Sequence, residues 1–315
     1  MSGRGRHIVL TGAGGFIGGR LLERLLADPA FAGDRLTLVD TRLAARADDP
    51  RVRPIEGDLG DAATLDAIFA EPVDILFHLA GVLGGAAEGA PALARRVNID
   101  ATLDLLERAY APDRPPRVVF ASSIAVFGPP LPALIDDATM PVPTMIYGAQ
   151  KRMVEIAIEQ ASARGWIDGI AIRLPGIVAR RNADARLKSA FLNTMFYDFE
   201  AGRAIELPVS PDGTTWLISV PACVDAFLHA ASLPAGQLGQ RRAFTLPAQR
   251  VTIAGLVEAL RRRFPDSASV VHYAPDAALE AQFTRQPPLE TGIGDALGFR
   301  HDGDLDALVR HAMAD

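Results

Sequence analysis

Residues 7–19 read His-Ile-Val-Leu-Thr-Gly-Ala-Gly-Gly-Phe-Ile-Gly-Gly, an apolar run that breaks into a glycine-rich turn and then opens a helical pattern. Gly12, Gly15 and Gly18 permit, in turn, a tight bend, close approach of backbone to a pyrophosphate, and close packing of helix on strand. Phe16 and Ile17 fall in the first turn of that helix, whose N–H groups and partial positive charge suit phosphate oxygens. A glycine triplet alone also occurs in purely structural turns. What points to a ligand is Asp40, 22 residues beyond Gly18 and at the end of the second apolar run. The spacing is close to the ~20 residues expected for a carboxylate that accepts from the adenosine ribose hydroxyls of a dinucleotide. Such a carboxylate repels a 2′-phosphate, so the expected cofactor is NAD rather than NADP. Arg42 is either a surface cation or a phosphate partner.

Outward from this stretch, short Val, Ile and Leu-rich runs alternate with longer helical patterns, as in βαβ units on a parallel sheet. Strands are expected at His7 to Leu10, Arg35 to Asp40, Val52 to Glu56, Asp74 to His78, Arg117 to Ser122 and Gly169 to Leu174. Helices are expected near Phe16 to Ala27, Thr64 to Phe69, Leu93 to Tyr110 and Tyr147 to Arg164. After Pro175 the pattern becomes irregular, with helices near Ala185 to Ala201, Val220 to Ala231, Ile253 to Phe264 and Leu305 to Met313. The predicted fold is α/β: a doubly wound parallel-sheet Rossmann domain over 1–174, also receiving 215–235, with a smaller mixed α/β substrate lobe over most of 175–315.

The bulk properties exclude several classes. With 315 residues, 49% hydrophobic and 22% charged, the chain is an ordinary globular sequence. A net charge of −6 and pI near 5.6 give no basic field for nucleic acid. Cys223 is the only cysteine, which rules out an intramolecular disulfide and a cysteine metal cluster and fits a reducing cytoplasm. No apolar run reaches the roughly 18 residues of a membrane helix, and the basic opening leads into a core too short for a signal peptide. No metal site is expected.

Tyr147-Gly148-Ala149-Gln150-Lys151 sets Tyr147 and Lys151 four apart, on one face of a helix. A phenol is a poor base at neutral pH, and a neighbouring ammonium lowers its pKa. Phe120-Ala121-Ser122-Ser123 ends a strand 24 residues before the tyrosine, so Ser123 is placed to hydrogen-bond the oxygen that Tyr147 protonates or deprotonates. His78, ending an apolar strand, reads as a packed structural histidine.

The glycine run, Gly57-Asp58-Leu59, His78-Leu79-Ala80-Gly81, Asn98, the Ser123 segment and Tyr147 with Lys151 together resemble the extended short-chain dehydrogenase/reductase family, in that family's order. The resemblance implies that Asp58 and Leu59 flank the adenine, that Leu79, Ala80 and Gly81 line the cofactor with Ser122, and that Asn98 neighbours the reaction centre. It implies that Lys151 binds the cofactor ribose beside Tyr147, that Pro175, Gly176 and Ile177 approach the nicotinamide, and that the chain forms a homodimer through the helices starting near Leu93 and Tyr147.

Many members of that family act on nucleotide-sugars and carry an Asn after the strand-ending Arg and a later Arg-Asp-Tyr-Ile-His-Val-like run. Here Arg173-Leu174-Pro175-Gly176 and Thr215-Trp216-Leu217-Ile218-Ser219-Val220 depart from both. The chain is similar instead to a narrower group, the D-erythronate dehydrogenases, through residues 122–128, Pro130-Leu131-Pro132, residues 147–151, 173–178 and Trp216. It departs from that group at Arg180-Arg181-Asn182-Ala183-Asp184-Ala185. The expected substrate is a small polyhydroxy carboxylate, bound by Ser123, Asn182, Arg180 or Arg181, Trp216 and Ser219, because a carboxylate leaving water needs a cation or several donors. Two alternatives stay open on the same fold: an epimerase or dehydratase of a sugar derivative, and a non-catalytic NAD-binding module.

Overall fold

The computed structural model describes residues 5–43, 48–181 and 189–314. The chain runs β1 (His7–Thr11), α1 (Phe16–Ala27), β2 (Arg35–Asp40), β3 (Val52–Glu56), α2 (Ala62–Ile68), β4 (Ile75–His78), α3 (Gly84–Gly89) and α4 (Pro91–Arg95). A π turn over Arg96–Asp100 leads into α5 (Ala101–Ala109), followed by β5 (Arg117–Ser123), α6 (Ile146–Ala163) and β6 (Asp168–Leu174). Then come β7 (Gly176–Val178), α7 (Phe191–Glu200), β8 (Ile205–Leu207), β9 (Thr214–Ser219), α8 (Val220–Ser232), α9 (Ala235–Leu238) and β10 (Ala243–Thr245). Last are β11 (Gln249–Thr252), α10 (Ile253–Arg263), β12 (Val271–Tyr273), α11 (Ala277–Phe283), α12 (Gly292–Ala296) and α13 (Leu305–Ala312).

Two compact units emerge. The first takes the chain up to Val126, Met145–Arg173 and Phe227–Phe244; the second takes Phe127–Thr144, Leu174–Ala226 and the chain from Thr245 on. The single boundary expected at 174 is therefore corrected in two places. Residues 127–144 belong with the second unit, and the late segment joining the first is 227–244 rather than 215–235, because β10 supplies a strand to the first unit's sheet while β9 pairs within the second.

The first unit is built on a seven-stranded sheet in the order β10-β6-β5-β4-β1-β2-β3, with β3, β2, β1, β4 and β5 pairing in parallel. This is the doubly wound order, and its reversal between β1 and β4 opens the crevice in which open α/β sheets take ligands. All five residues of β1 are buried, as expected of a parallel strand covered on both faces. Pro54 is tolerated because β3 is an edge strand. Val9, Leu76, Leu105, Val118, Phe120 and Ile158 form the core between sheet and helices.

The second unit holds two small sheets. In one, β9 is central, antiparallel to β11 and parallel to β7; in the other, β12 lies parallel to β8. Its core gathers Phe191, Met195, Phe199, Leu217, Leu256 and Leu308.

Candidate active site

At the end of β1 the backbone turns through Gly12, whose φ of 72° lies in the left-handed region and whose missing side chain leaves room for the loop after β4: a Cβ there would sit 2.7 Å from the Ala80 nitrogen. Gly18 lets α1 settle on this turn, since a Cβ at that position would lie 2.1 Å from the Gly12 carbonyl oxygen. Helix α1 is capped by Gly15 with no side-chain hydrogen bond and carries no acidic residue in its first turn, so the partial positive charge of its first turn, which includes Phe16 and Ile17, suits an anion. At the end of β2, Asp40 accepts from the Gly14 N–H at 2.9 Å and presents its carboxylate beside the turn. These features fit an adenine dinucleotide: a glycine cradle and helix end for the pyrophosphate, and a carboxylate for the ribose diol. Asp58 accepts from the Gly60 N–H at 2.9 Å in a tight turn, and Leu59 is buried in the core. Leu79 and Ala80 follow β4, with the Leu79 N–H donating to the Thr11 carbonyl at 3.1 Å.

If Asp40 selects the cofactor, Asp40→Ala should weaken NAD binding and strengthen that of NADP, because it removes both the acceptor for the ribose diol and the repulsion of a 2′-phosphate. A binding titration in which the unaltered protein holds both cofactors equally would overturn this.

The second cluster stands on α6 and β5. Lys151 is almost fully buried, at 4% exposure, with Nζ 4.4 Å above the Phe120 ring centroid and 5.6 Å from that of Tyr147. Burial pushes the ammonium down to about 7, and the charge of Glu155 opposes the fall. Tyr147 is pushed up to about 12 by withdrawal from water, with a hydrogen bond from Ser123 pulling the other way. The strand end thus brings Ser123 to the phenol that the helix presents, and Lys151 stands one turn further along.

Asn98 lies in the π turn, in a helix expected to run unbroken from Leu93 to Tyr110; such bulges frequently sit at functional sites. Its side chain accepts from the Val82 N–H at 2.7 Å and donates to the Val82 carbonyl at 2.9 Å and to Gln150 at 2.8 Å, tying the loop after β4 to α6. Gly81 completes that loop: a Cβ on it would sit 3.1 Å from the Asn98 amide oxygen and 3.7 Å from Lys151 Nζ. His78 is buried between Thr11, at 2.6 Å, and Thr102, at 3.0 Å, and stacks on Phe120; burial and the Lys151 charge push it down to about 3, so it is neutral.

Ser122 stands differently from its neighbour. Counted in the sequence among the cofactor contacts, it is buried with its hydroxyl turned away, donating to Glu155 at 2.6 Å. The residues that sequence reasoning missed are of this kind: Glu155, Arg173, Gln150, and Glu88 of α3, which accepts from the Ile146 N–H at 2.7 Å at the start of α6. Only Glu155 had a local signal, four residues beyond Lys151.

The remaining expected residues lie in the second unit. Pro175 is buried; Gly176 and Ile177 pair with Leu217 and Ile218 as β7 meets β9. Arg180 donates its backbone N–H to Asn193 at 2.8 Å, and Arg181 reaches Glu200 at 3.7 Å across the Tyr197 ring. Asn182 falls outside the described residues. Trp216 and Ser219, expected as pocket wall, lie in β9. Both are buried because β9 is the central strand of its sheet, with the Trp216 indole donating to the Pro287 carbonyl at 2.8 Å and Ser219 bonded through backbone and hydroxyl to Asp302.

A doubly wound sheet, a glycine turn against a helix end, a carboxylate at the end of β2 and a Tyr–Lys pair on one helix are the features of an enzyme that works with a nicotinamide dinucleotide. The chain belongs to the NAD dependent epimerase/dehydratase family, whose model matches residues 8–241. It is an NAD-dependent dehydrogenase of the extended short-chain dehydrogenase/reductase type, acting on a small molecule. It is 36% identical over 320 residues to a D-erythronate dehydrogenase of Cupriavidus necator, covering 98% of both chains. It is 36% identical over 254 residues to a D-erythronate dehydrogenase of Haemophilus influenzae, covering 80% of this chain and 81% of that one. Among solved structures, a nucleoside-diphosphate-sugar epimerase from Agrobacterium tumefaciens superposes with a TM-score of 0.89 at 29% identity, over 98% of this chain and 95% of that one. No helix among the described residues is long and apolar enough to cross a membrane, and no cluster of three or more metal-ligating side chains is found among them.

Proposed function

We propose that the chain oxidises a secondary alcohol of a small polyhydroxy carboxylate such as D-erythronate, with Tyr147, Lys151 and Ser123 handling the proton. The observation that carries this reading is the juxtaposition of a phenol, a buried ammonium and a serine hydroxyl at the end of β5 and the start of α6. Similarity to D-erythronate dehydrogenases over nearly the whole chain supports the choice of substrate class. Tyr147, as phenolate, takes the hydroxyl proton of the alcohol while Ser123 orients its oxygen. Lys151 binds the nicotinamide ribose and, by its charge, brings the Tyr147 pKa down from the high value that burial gives it. NAD supplies the acceptor for the hydride that leaves the carbinol carbon. The Asp40 carboxylate binds the adenosine ribose; Gly12, Gly15 and Gly18 bind the pyrophosphate.

The test is NADH formation by the purified protein across sugar acids, uronates and nucleotide-sugars. A four-carbon or similar sugar acid should be oxidised, and nucleotide-sugars should neither react nor compete. Tight competitive inhibition by a UDP-sugar with no sugar acid oxidised would favour the epimerase alternative.

The assembly proposed is a homodimer through the outer face of α4 and α6, where Leu93, Met153 and Ile156 leave apolar surface exposed. Light scattering on the same preparation should give twice the chain mass; a monomer would overturn it. With its single cysteine buried, the chain suits a reducing cytoplasm.

A further inference from the structure

The chain carries only two lysines, Lys151 and Lys188, among 32 basic residues. Elsewhere it uses arginine, which stays charged in any surroundings, whereas a buried lysine loses its proton readily. Lys151 therefore depends on its neighbours for its charge. From α6 it is faced by Tyr147 and Glu155, from β4 by the neutral His78, from β5 by the Phe120 ring, and from the π turn and the β4 loop by Asn98 and Gly81. The anion acting on it is Glu155, one helical turn further along α6.

Glu155 is itself fixed. Its side chain has no exposed surface; Oε1 accepts from the Ser122 hydroxyl at 2.6 Å and from Arg173 Nε at 2.9 Å, and Oε2 accepts from Arg173 Nη2 at 2.9 Å and Arg152 Nη1 at 3.0 Å. One carboxylate thus stands among three cations, Arg152, Arg173 and Lys151. A two-pronged guanidinium grip and a hydroxyl prevent it from turning away. Removing its charge leaves the three cations facing one another in a region of low dielectric, and the one able to relieve that by giving up a proton is the lysine.

We propose that Glu155 is a positioning residue for hydride transfer: gripped by Arg173 and Ser122, its carboxylate keeps Lys151 in the ammonium form that the cofactor ribose and the Tyr147 phenol require. The proposal rests on reading Tyr147 and Lys151 as the proton-handling pair. Ser122 acts through Glu155, which gives the two adjacent serines separate tasks, Ser123 on the substrate side and Ser122 beneath it.

The test is carbon NMR of the full chain labelled at lysine Cε, in which two resonances are expected and Lys188→Arg identifies that of Lys151. Glu155→Gln should lower the Lys151 titration midpoint by at least one pH unit, a tenfold loss of proton affinity, and lower NADH formation at neutral pH about tenfold. Because Glu155→Gln leaves Arg173 buried without its anion and risks the fold, the double variant Glu155→Gln with Arg173→Gln is measured beside it and should show the same displaced midpoint. A merely structural role lowers the melting temperature and leaves the midpoint in place. An unmoved midpoint in a folded variant overturns the proposal. Wild-type turnover in Tyr147→Phe would instead fault the proton assignment, and would do so without moving the Lys151 midpoint.

Discussion

Tyr147→Phe is expected to bind NAD nearly as the unaltered protein does and to lose turnover by ~10²-fold or more, the usual scale for a missing general base. The substitution removes one oxygen from a half-buried ring at the start of α6, so the volume and the ring's contact with Lys151 remain. What goes is the group that Ser123 hydrogen-bonds and whose proton affinity the site controls. In the cofactor-free protein that affinity is high, with the phenol pushed up to about 12 by burial. Oxidation of an alcohol therefore depends on the positive charge beside Tyr147. Steady-state rates combined with a cofactor titration separate the two effects: a lower rate with intact NAD affinity supports Tyr147 as the proton acceptor, and wild-type turnover moves the role elsewhere.

The parts of this molecule that were legible in the sequence are those whose physics is local. Arg35–Asp40 is read to the residue because a buried parallel strand is a mostly apolar run bounded by turn residues, and Val52–Glu56, a largely exposed edge strand, because Val52 and Ile55 stand between turn residues. The glycine turn and Asp40 are legible because a phosphate cradle needs missing side chains at fixed spacing. Tyr147 and Lys151 are legible because helical periodicity sets both on one face. Illegible parts depend on partners far along the chain. The indole partner of Trp216 is the Pro287 carbonyl, 71 residues on, which no local pattern announces. Arg173 looks like a marker at a strand end, yet its role is set by Glu155 on a different element. The break at Asn98 carries no periodic signal, since a π turn shifts the register within an otherwise helical pattern.

Lys151→Met is expected to abolish turnover and, in the cofactor-free protein, to raise stability, most strongly at low pH. Methionine keeps an unbranched apolar stem in the space the lysine occupies and has no charge to desolvate. Burial lowers the lysine from its ordinary 10.5 to about 7. Below pH 7 the residue is charged in both folded and unfolded chains, and the lowered proton affinity, which already includes the attraction of Glu155, corresponds to about 5 kcal/mol of lost stability relative to an uncharged side chain. Between pH 7 and 10.5 the unfolded chain binds the proton and the folded one does not, so the stability contributed at this site rises with pH. The advantage of Lys151→Met should therefore shrink across that window and be about 1 kcal/mol by pH 10. Above pH 10 Tyr147 enters with the opposite sign, since its phenol ionises in the unfolded chain before it does in the folded one, so the comparison belongs at pH 6, 8 and 10. Calorimetric melting of both proteins at those values should show a gap of several degrees that closes as pH rises. A gap of constant size would mean that Lys151 is not a strained buried cation, and would remove the reason for Glu155 to support it.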